Sequence, residues 1–290
     1  MSRKWKYKTV DVRPEVYNKK YPFSTLTHYR EKNFDGIDSI SHYITNERIE
    51  YYLKTNSYGW RCDEFKKDHL DKNHILFAGC SETWGEGSVI EDCWSKILYD
   101  SINKDDTCSG FFSIGIPGGG VDEIVNVVSE YIKEFGLPDA IFFMLPNVPR
   151  QSAYMHSDDY NLFSGFYRVG AFDQKTEQPT LGKYTESDYN TVLIHNYLSI
   201  KIFESLLSKT KTDFFWSTWN YEFINDLELF NLHSDSFVDT CIVEERAYED
   251  YVALNNNSIA MEKRDGHHGT VFHKYWAEQF YQKYKEKNEK

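Results

Sequence analysis

Three short apolar runs alternate with two amphipathic helical patterns in the first half of the chain, and this alternation restricts the fold more than any other feature. The predicted strands cover 74–78, 110–116 and 140–145, and the predicted helices cover 90–102 and 121–135. Apolar runs of this length are typical of buried strands, whereas apolar residues recurring three and four positions apart are typical of helices. Strand–helix–strand units with this spacing connect by right-handed crossovers and form a parallel sheet.

Further elements continue the alternation towards the carboxyl end. They are a helix at 187–208, a strand at 213–217, a short helix at 221–230, an extended piece at 237–243 and a last helix with apolar residues every four positions from Phe272 to Tyr284. We therefore predict one α/β domain over 71–290, with a central, mostly parallel sheet flanked by helices.

Two segments lack this periodicity. Residues 1–70 are polar and aromatic, with one candidate strand at 49–53, and are predicted to form an extension packed on the main domain. Residues 150–186 are rich in Tyr, Asp and Gly and are predicted to be irregular. Because long loops inside compact domains usually have a function, we interpret this insertion as a lid or a substrate-binding loop.

Charge and composition exclude several classes of protein. The net charge of −12 argues against binding to nucleic acid or to an anionic membrane, since both require a positive surface. No apolar stretch is long enough to span a membrane, and the first residues contain no apolar segment typical of a signal peptide. Five cysteines without paired spacing indicate free thiols. We expect a soluble protein, cytoplasmic or otherwise without a signal peptide.

Small or polar residues follow each of the first three predicted strands. Ser81 follows the first, glycines at 118–120 follow the second, and Asn147 follows the third. Because the carboxyl ends of parallel strands lie at one edge of a sheet, these three loops can line one crevice.

A second polar group lies near the carboxyl end. Asp265 and His268 are three positions apart in a glycine-flanked turn before the last helix. A catalytic serine requires a base in contact with its hydroxyl and a carboxylate that orients the base, and one such turn can supply both. The same two residue types also occur in turns as capping or exposed polar groups.

Taken in order, these segments resemble the four sequence blocks of the SGNH (GDSL-type) hydrolases, over about residues 73–285. The resemblance implies a three-layer flavodoxin-like α/β fold, with Ser81 as the nucleophile, His268 as the base and Asp265 as its carboxylate. It also implies an oxyanion hole formed by the backbone N–H groups of Ser81 and Gly118 and by the Asn147 side chain. No metal or other cofactor is expected.

The chain departs from the family pattern at three places. Cys80 replaces the usual aspartate before the serine, the third block lacks its glycine and its aspartate around Asn147, and His267 precedes His268 directly. The first change affects a flanking position, the second weakens the support for Asn147, and the third leaves two candidate bases, between which the DxxH spacing favours His268.

The resemblance implies a serine esterase that hydrolyses a small acyl ester through an acyl-enzyme. High aromatic content (22 Tyr, 20 Phe and 7 Trp) favours an aromatic-rich core over a carbohydrate-facing surface. The aromatic insertion at 150–186 and the lack of a long apolar stretch that could hold an acyl chain favour a small acyl group, an O-acetyl group on a glycan, as the expected substrate. The alternatives are a non-catalytic glycan-binding or structural module, an acyltransferase, a thiol nucleophile at Cys80, a phosphate site at 118–120, or a metal site formed by Asp265 with His267, His268 and His273.

Overall fold

The structure is a computed structural model. It describes residues 37–44, 47–54, 56–69, 72–85, 89–116, 119–146, 150–155, 165–169, 186–220, 224–227, 234–240, 268 and 270–288.

Within these residues the chain alternates between strands and helices. The strands are β1 (Ile37–Ile44), β2 (Glu47–Lys54), β3 (Ile75–Cys80), β4 (Phe112–Ile116), β5 (Ala140–Leu145), β6 (Gln151–Met155), β7 (Gly165–Val169) and β8 (Asp213–Thr218). The helices are α1 (Ser81–Trp84), α2 (Trp94–Ile102), α3 (Val121–Phe135), α4 (Glu186–Leu207) and α5 (Thr270–Asn288).

The central sheet has the strand order β4-β3-β5-β8, and all of its strands are parallel. A parallel bridge between Trp216 and Phe237 extends the sheet beyond β8, at the start of the predicted extended piece. The chain leaves β3 towards β4 on one side and then returns across the sheet to β5 on the other. The order of the strands therefore reverses at β3, where ligands bind in open α/β sheets.

Helices cover both faces of this sheet. Leu76 and Ala78 of β3 point into a core shared with α3 and α4. Ile75 and Phe77 point into a second core, shared with α2 and α5. Successive side chains of a strand face opposite sides of the sheet. Both faces of β3 are buried, and β3 is therefore apolar throughout. The predicted α/β architecture with a parallel, helix-flanked sheet is confirmed, and it is compatible with a flavodoxin-like arrangement.

The boundary between β3 and α1 differs from the prediction. The strand does not break at Gly79 but continues to Cys80, and Ser81 starts a helical turn with no intervening loop. A Cβ atom at Gly79 would collide with the Thr83 side chain and the Met144 carbonyl oxygen. Glycine is therefore required here because α1 folds back closely against the end of its own strand.

Three further predictions change in detail. The helix predicted at 90–102 is a 3₁₀ turn (Ile90–Asp92) followed by α2, with extended backbone at Cys93 between them. The insertion predicted to be irregular contains the antiparallel pair β6–β7. In the amino-terminal part, the strand predicted at 49–53 lies within β2, which pairs with β1.

Two further predictions concern the cysteines and membrane-spanning segments. Cys62, Cys80, Cys93 and Cys108 are free thiols, as predicted. Burial raises the pKa values of Cys62, Cys93 and Cys108. No helix in the described part of the chain is both long and apolar enough to cross a membrane.

A buried histidine lies at the amino-terminal end of β3, opposite to Ser81. The ring of His74 stacks on the ring of His69 with their centroids 3.7 Å apart, and its Nε2 atom lies 2.6 Å from the Tyr131 hydroxyl. Burial, and then repulsion from His69, lowers the pKa of His74 to about 3. In an unfolded chain this pKa is about 6.5.

This difference predicts an acid-sensitive stability. Below about pH 6.5 the unfolded state binds a proton that the native state binds only near pH 3, so the His74 contribution falls as the pH falls through this window, by at most about 1.4 kcal/mol per pH unit. Between pH 7 and pH 5 the free energy of unfolding in urea should fall in both proteins. We expect this fall to be about 1–2 kcal/mol smaller in His74→Gln than in the native chain. His195→Gln, at an exposed histidine, serves as the control. Equal losses in the native chain and His74→Gln would contradict this prediction.

Candidate active site

Ser81 lies at the carboxyl edge of the sheet, at the strand where the order reverses. It is buried, and its Oγ atom donates a long hydrogen bond to Cys80 Sγ, at 4.0 Å. The same sulfur accepts the indole N–H of Trp219 at 3.3 Å. Trp219 directly follows β8, so residues from two strand ends meet at this point.

His268 precedes α5 and contacts Glu82, the residue after Ser81. The Nδ1–H group of His268 donates to Glu82 Oε1 at 2.9 Å, and the backbone N–H of His268 donates to the same oxygen at 3.3 Å. Glu82 is only 1% exposed. The carboxylate therefore fixes both the position of the histidine backbone and the orientation of its ring.

This contact also determines which ring nitrogen can act as a base. A carboxylate accepts hydrogen bonds and donates none, so the Nδ1 atom of His268 carries the proton. In a neutral imidazole the other nitrogen, Nε2, then carries the lone pair. His268 is consequently held in the tautomer that a general base requires.

The second oxygen of Glu82 faces another histidine. Glu82 Oε2 lies 3.6 Å from the Nε2 atom of His273, which is fully buried. The Nδ1 atom of His273 accepts the backbone N–H of Trp94 at 3.1 Å, so the ring proton of neutral His273 lies on Nε2 and faces the carboxylate. Glu82 thus lies between two imidazole rings.

Aromatic side chains surround the His268 ring. Its centroid lies 4.8 Å from that of Phe272, 5.0 Å from that of Trp276 and 5.4 Å from that of Trp219. The His268 side chain nevertheless remains 18% exposed. The imidazole is therefore held in an apolar environment that strengthens its polar contacts, while one part of it stays accessible.

Helix α1 is held in place at its end. Arg61 Nη1 donates to the carbonyl oxygens of Trp84, at 3.1 Å, and Gly85, at 2.6 Å. The Trp94 indole N–H donates to Thr83 Oγ1 at 3.2 Å. Gly85 has a φ angle of 73°, which favours glycine. These contacts fix the short turn that carries both Ser81 and Glu82.

The structure thus brings two of the predicted site residues to one edge of the sheet. Ser81 and His268 are linked through Glu82, although the Ser81 hydroxyl bonds to Cys80 Sγ and not to the imidazole. Such catalytic hydrogen bonds are often absent or long without substrate. The other candidates (Asp265, His267, Gly118 and Asn147) lie outside the described residues and stay predictions.

The role of Glu82 is missing from the sequence prediction. A glutamate in the first turn of a helix is common, because the amino-terminal end of a helix favours negative charge. Its contact with His268, 186 positions later, depends on how α5 packs against the sheet. Nothing in the local pattern distinguishes this glutamate from a surface residue.

No group of three or more His, Cys, Asp or Glu side chains in the described part of the chain could hold a metal ion. No model of a protein family matches this chain, and no curated protein matches its sequence.

Proposed function

We propose that this chain is a serine esterase that hydrolyses a small acyl ester through Ser81, His268 and Glu82. The observation that carries the proposal is the buried Glu82 carboxylate on Nδ1 of His268, one residue after a serine at the carboxyl end of a central strand. A nucleophile, a base and an orienting carboxylate at one site are the minimum that serine catalysis requires.

The fold supports the same proposal. The order of the central sheet, β4-β3-β5-β8, is compatible with flavodoxin-like sheets, in which the ligand binds where the strand order reverses. Ser81 occupies this position. We therefore propose that the domain has the SGNH-type hydrolase fold, in keeping with the resemblance of its sequence blocks.

The proposed reaction begins with proton transfer from Ser81 Oγ to Nε2 of His268. The serine oxygen attacks the ester carbonyl, and the resulting oxyanion is stabilised by the Ser81 backbone N–H, with the Gly118 N–H and the Asn147 side chain proposed as further donors. His268 then gives its proton to the departing alcohol. A water molecule, deprotonated by His268, hydrolyses the acyl-enzyme and restores Ser81.

Glu82 has two effects in this mechanism. It holds the proton on Nδ1, so that Nε2 is available to Ser81, and its negative charge stabilises the imidazolium that forms during the reaction. Glu82 accepts the Nδ1 proton of His268 at 2.9 Å. On this contact we assign the orienting role to Glu82, and Asp265 stays the competing assignment from the sequence.

The proposed substrate is an O-acetyl ester on a carbohydrate. Trp219 is half-buried and lies beside His268, at the edge of the site. An indole face in this position can pack on a sugar ring, as aromatic side chains with one apolar face commonly do.

Covalent labelling tests the proposal without knowledge of the substrate. A fluorophosphonate probe reacts with serines that an adjacent base activates, and we expect it to modify Ser81, as identified by peptide mass spectrometry. His268→Gln should abolish labelling because the base is lost, whereas His195→Gln, at an exposed position on α4, should label normally. Labelling at another residue, or equal labelling in His268→Gln, would overturn the assignment.

A further inference from the structure

Arg150 has an unusual environment for an arginine. It precedes β6 directly and lies five positions after the end of β5. Its Nε and Nη1 atoms are buried and have no hydrogen-bond partner in the described part of the chain. None of the ion pairs described there includes it, although the chain has 45 acidic residues.

The guanidinium group lies close to the candidate active site. Its central carbon is 5.7 Å from the ring centroid of Trp219. The indole N–H of Trp219 donates to Cys80 Sγ at 3.3 Å, and the centroid of the indole lies 5.4 Å from that of the His268 ring. The cation and the proposed base therefore lie near the same indole ring.

The backbone of Arg150 is also held in a defined position. A Cβ atom at Gly120 would lie 2.6 Å from the Arg150 carbonyl oxygen, so the residue before α3 must be glycine for the two segments to approach. The position of Arg150 is thus set by the loops that follow β4 and β5, the same loops from which the sequence predicts oxyanion-hole donors.

An arginine with buried, unbonded N–H groups is costly. Leaving a buried donor without a partner is unfavourable, and more so when the donor is charged. The contact with Trp219 attracts the guanidinium group but accepts no hydrogen bond from Nε or Nη1. An anionic ligand would supply the missing charge, since guanidinium groups recognise carboxylate, sulfate and phosphate oxygens.

We propose that Arg150 binds an anionic oxygen group of the ester substrate, so that the enzyme prefers acidic esters to neutral ones. The proposal rests on the proposed esterase function and narrows its substrate class. Part of the Arg150 side chain remains exposed, which leaves it accessible to a ligand in the crevice. The anion can belong to the alcohol part of the ester, as in an acidic sugar, or to its acyl part.

Matched ester pairs test this preference and distinguish the two sources. For the alcohol side, 4-acetoxybenzoate is compared with its methyl ester. For the acyl side, 4-nitrophenyl hydrogen adipate is compared with its methyl ester. With each rate normalised to hydroxide-catalysed hydrolysis, we expect Arg150→Gln to lower kcat/KM for the anionic member of one pair about 10–100-fold, the range of a charge-assisted hydrogen bond. For the neutral methyl esters, kcat/KM should change less than about threefold.

Lys211→Gln is the matched control. It removes the same charge from an exposed residue before β8, at the opposite edge of the sheet, and should leave the preference unchanged. Increasing salt should weaken the preference in the native chain, because mobile ions screen the attraction. The inference would be overturned if Arg150→Gln lowered kcat/KM equally for both esters of each pair, or changed kcat/KM for neither.

Binding provides a readout that needs no turnover. Calorimetric titration of 4-acetoxybenzoate into Ser81→Ala should give a dissociation constant about 10–100-fold lower than titration into Ser81→Ala/Arg150→Gln. Equal constants would exclude Arg150 as the anion site on the alcohol side, and the corresponding adipate titration decides the acyl side. This comparison can fail while Ser81 labelling succeeds, so a failed inference is distinguishable from a failed esterase assignment.

Discussion

Ser81→Ala will abolish hydrolysis of 4-nitrophenyl acetate, with a loss in kcat of about 10⁴–10⁶-fold relative to the native chain. The alanine side chain cannot form the acyl-enzyme, and the remaining groups can only bind the ester and polarise its carbonyl. The fold should survive, because within the described residues the Ser81 hydroxyl makes one hydrogen bond, a long one of 4.0 Å to Cys80 Sγ. Thermal unfolding should therefore shift by no more than a few degrees.

Two variants make this result specific. Ser95→Ala removes another buried hydroxyl, on α2, and should retain full activity. Cys80→Ala removes the neighbouring thiol, the alternative nucleophile. It should reduce activity less than tenfold, because the hydrogen bonds that the sulfur accepts in the described part of the chain come from Trp219 and Ser81 and not from His268. Full turnover in Ser81→Ala, or a complete loss in Cys80→Ala, would move the nucleophile away from Ser81.

Glu82→Gln should lower kcat by about 10²–10⁴-fold, the usual range for disrupting a positioned base. Glutamine has nearly the same volume, so the buried position remains filled. Its amide carries no charge, and it can present an N–H group to Nδ1, which favours the wrong imidazole tautomer. The pKa that governs kcat/KM should also fall, since no carboxylate then stabilises the imidazolium.

Asp265→Asn is the variant to compare with Glu82→Gln, because the sequence resemblance assigns Asp265 the role of orienting His268. If Glu82 orients His268, Asp265→Asn should change kcat by less than about tenfold and leave the pH profile in place. The opposite result, a large loss in Asp265→Asn with a normal profile in Glu82→Gln, would return the role to Asp265. The pH profile separates the two assignments from a loss of folding, which lowers activity without moving the pKa.

The strength of the local pattern determines which parts of the structure could be predicted. The bounds of α3 and β5 agree with the prediction because their apolar residues follow one strict pattern between glycine and proline signals. The strands β6 and β7 were missed because 150–186 is polar and aromatic without a clear alternation. The end of β3 was misplaced because Gly79, which usually indicates a turn, is required here by close packing of α1.

The same difference between local pattern and distant contact applies to the residues of the candidate site. The sequence predicts Ser81 because it follows an apolar run, and His268 through its spacing from Asp265. It does not predict Glu82 and Arg150, which we propose as further site residues, because their contacts join residues that are distant in sequence. The first contacts a histidine 186 positions later, and the second lies against the indole of Trp219. Neither contact leaves a periodic signal.

The adjacency of Ser81 and Glu82 has a consequence for when the protein becomes active. Two of the three groups that we propose to be catalytic are consecutive residues, so their relative position is set as soon as α1 forms at the end of β3. The third arrives from His268, immediately before the last helix. The proposed site therefore stays incomplete until α5 packs on the sheet, so we expect its assembly to follow the docking of this helix.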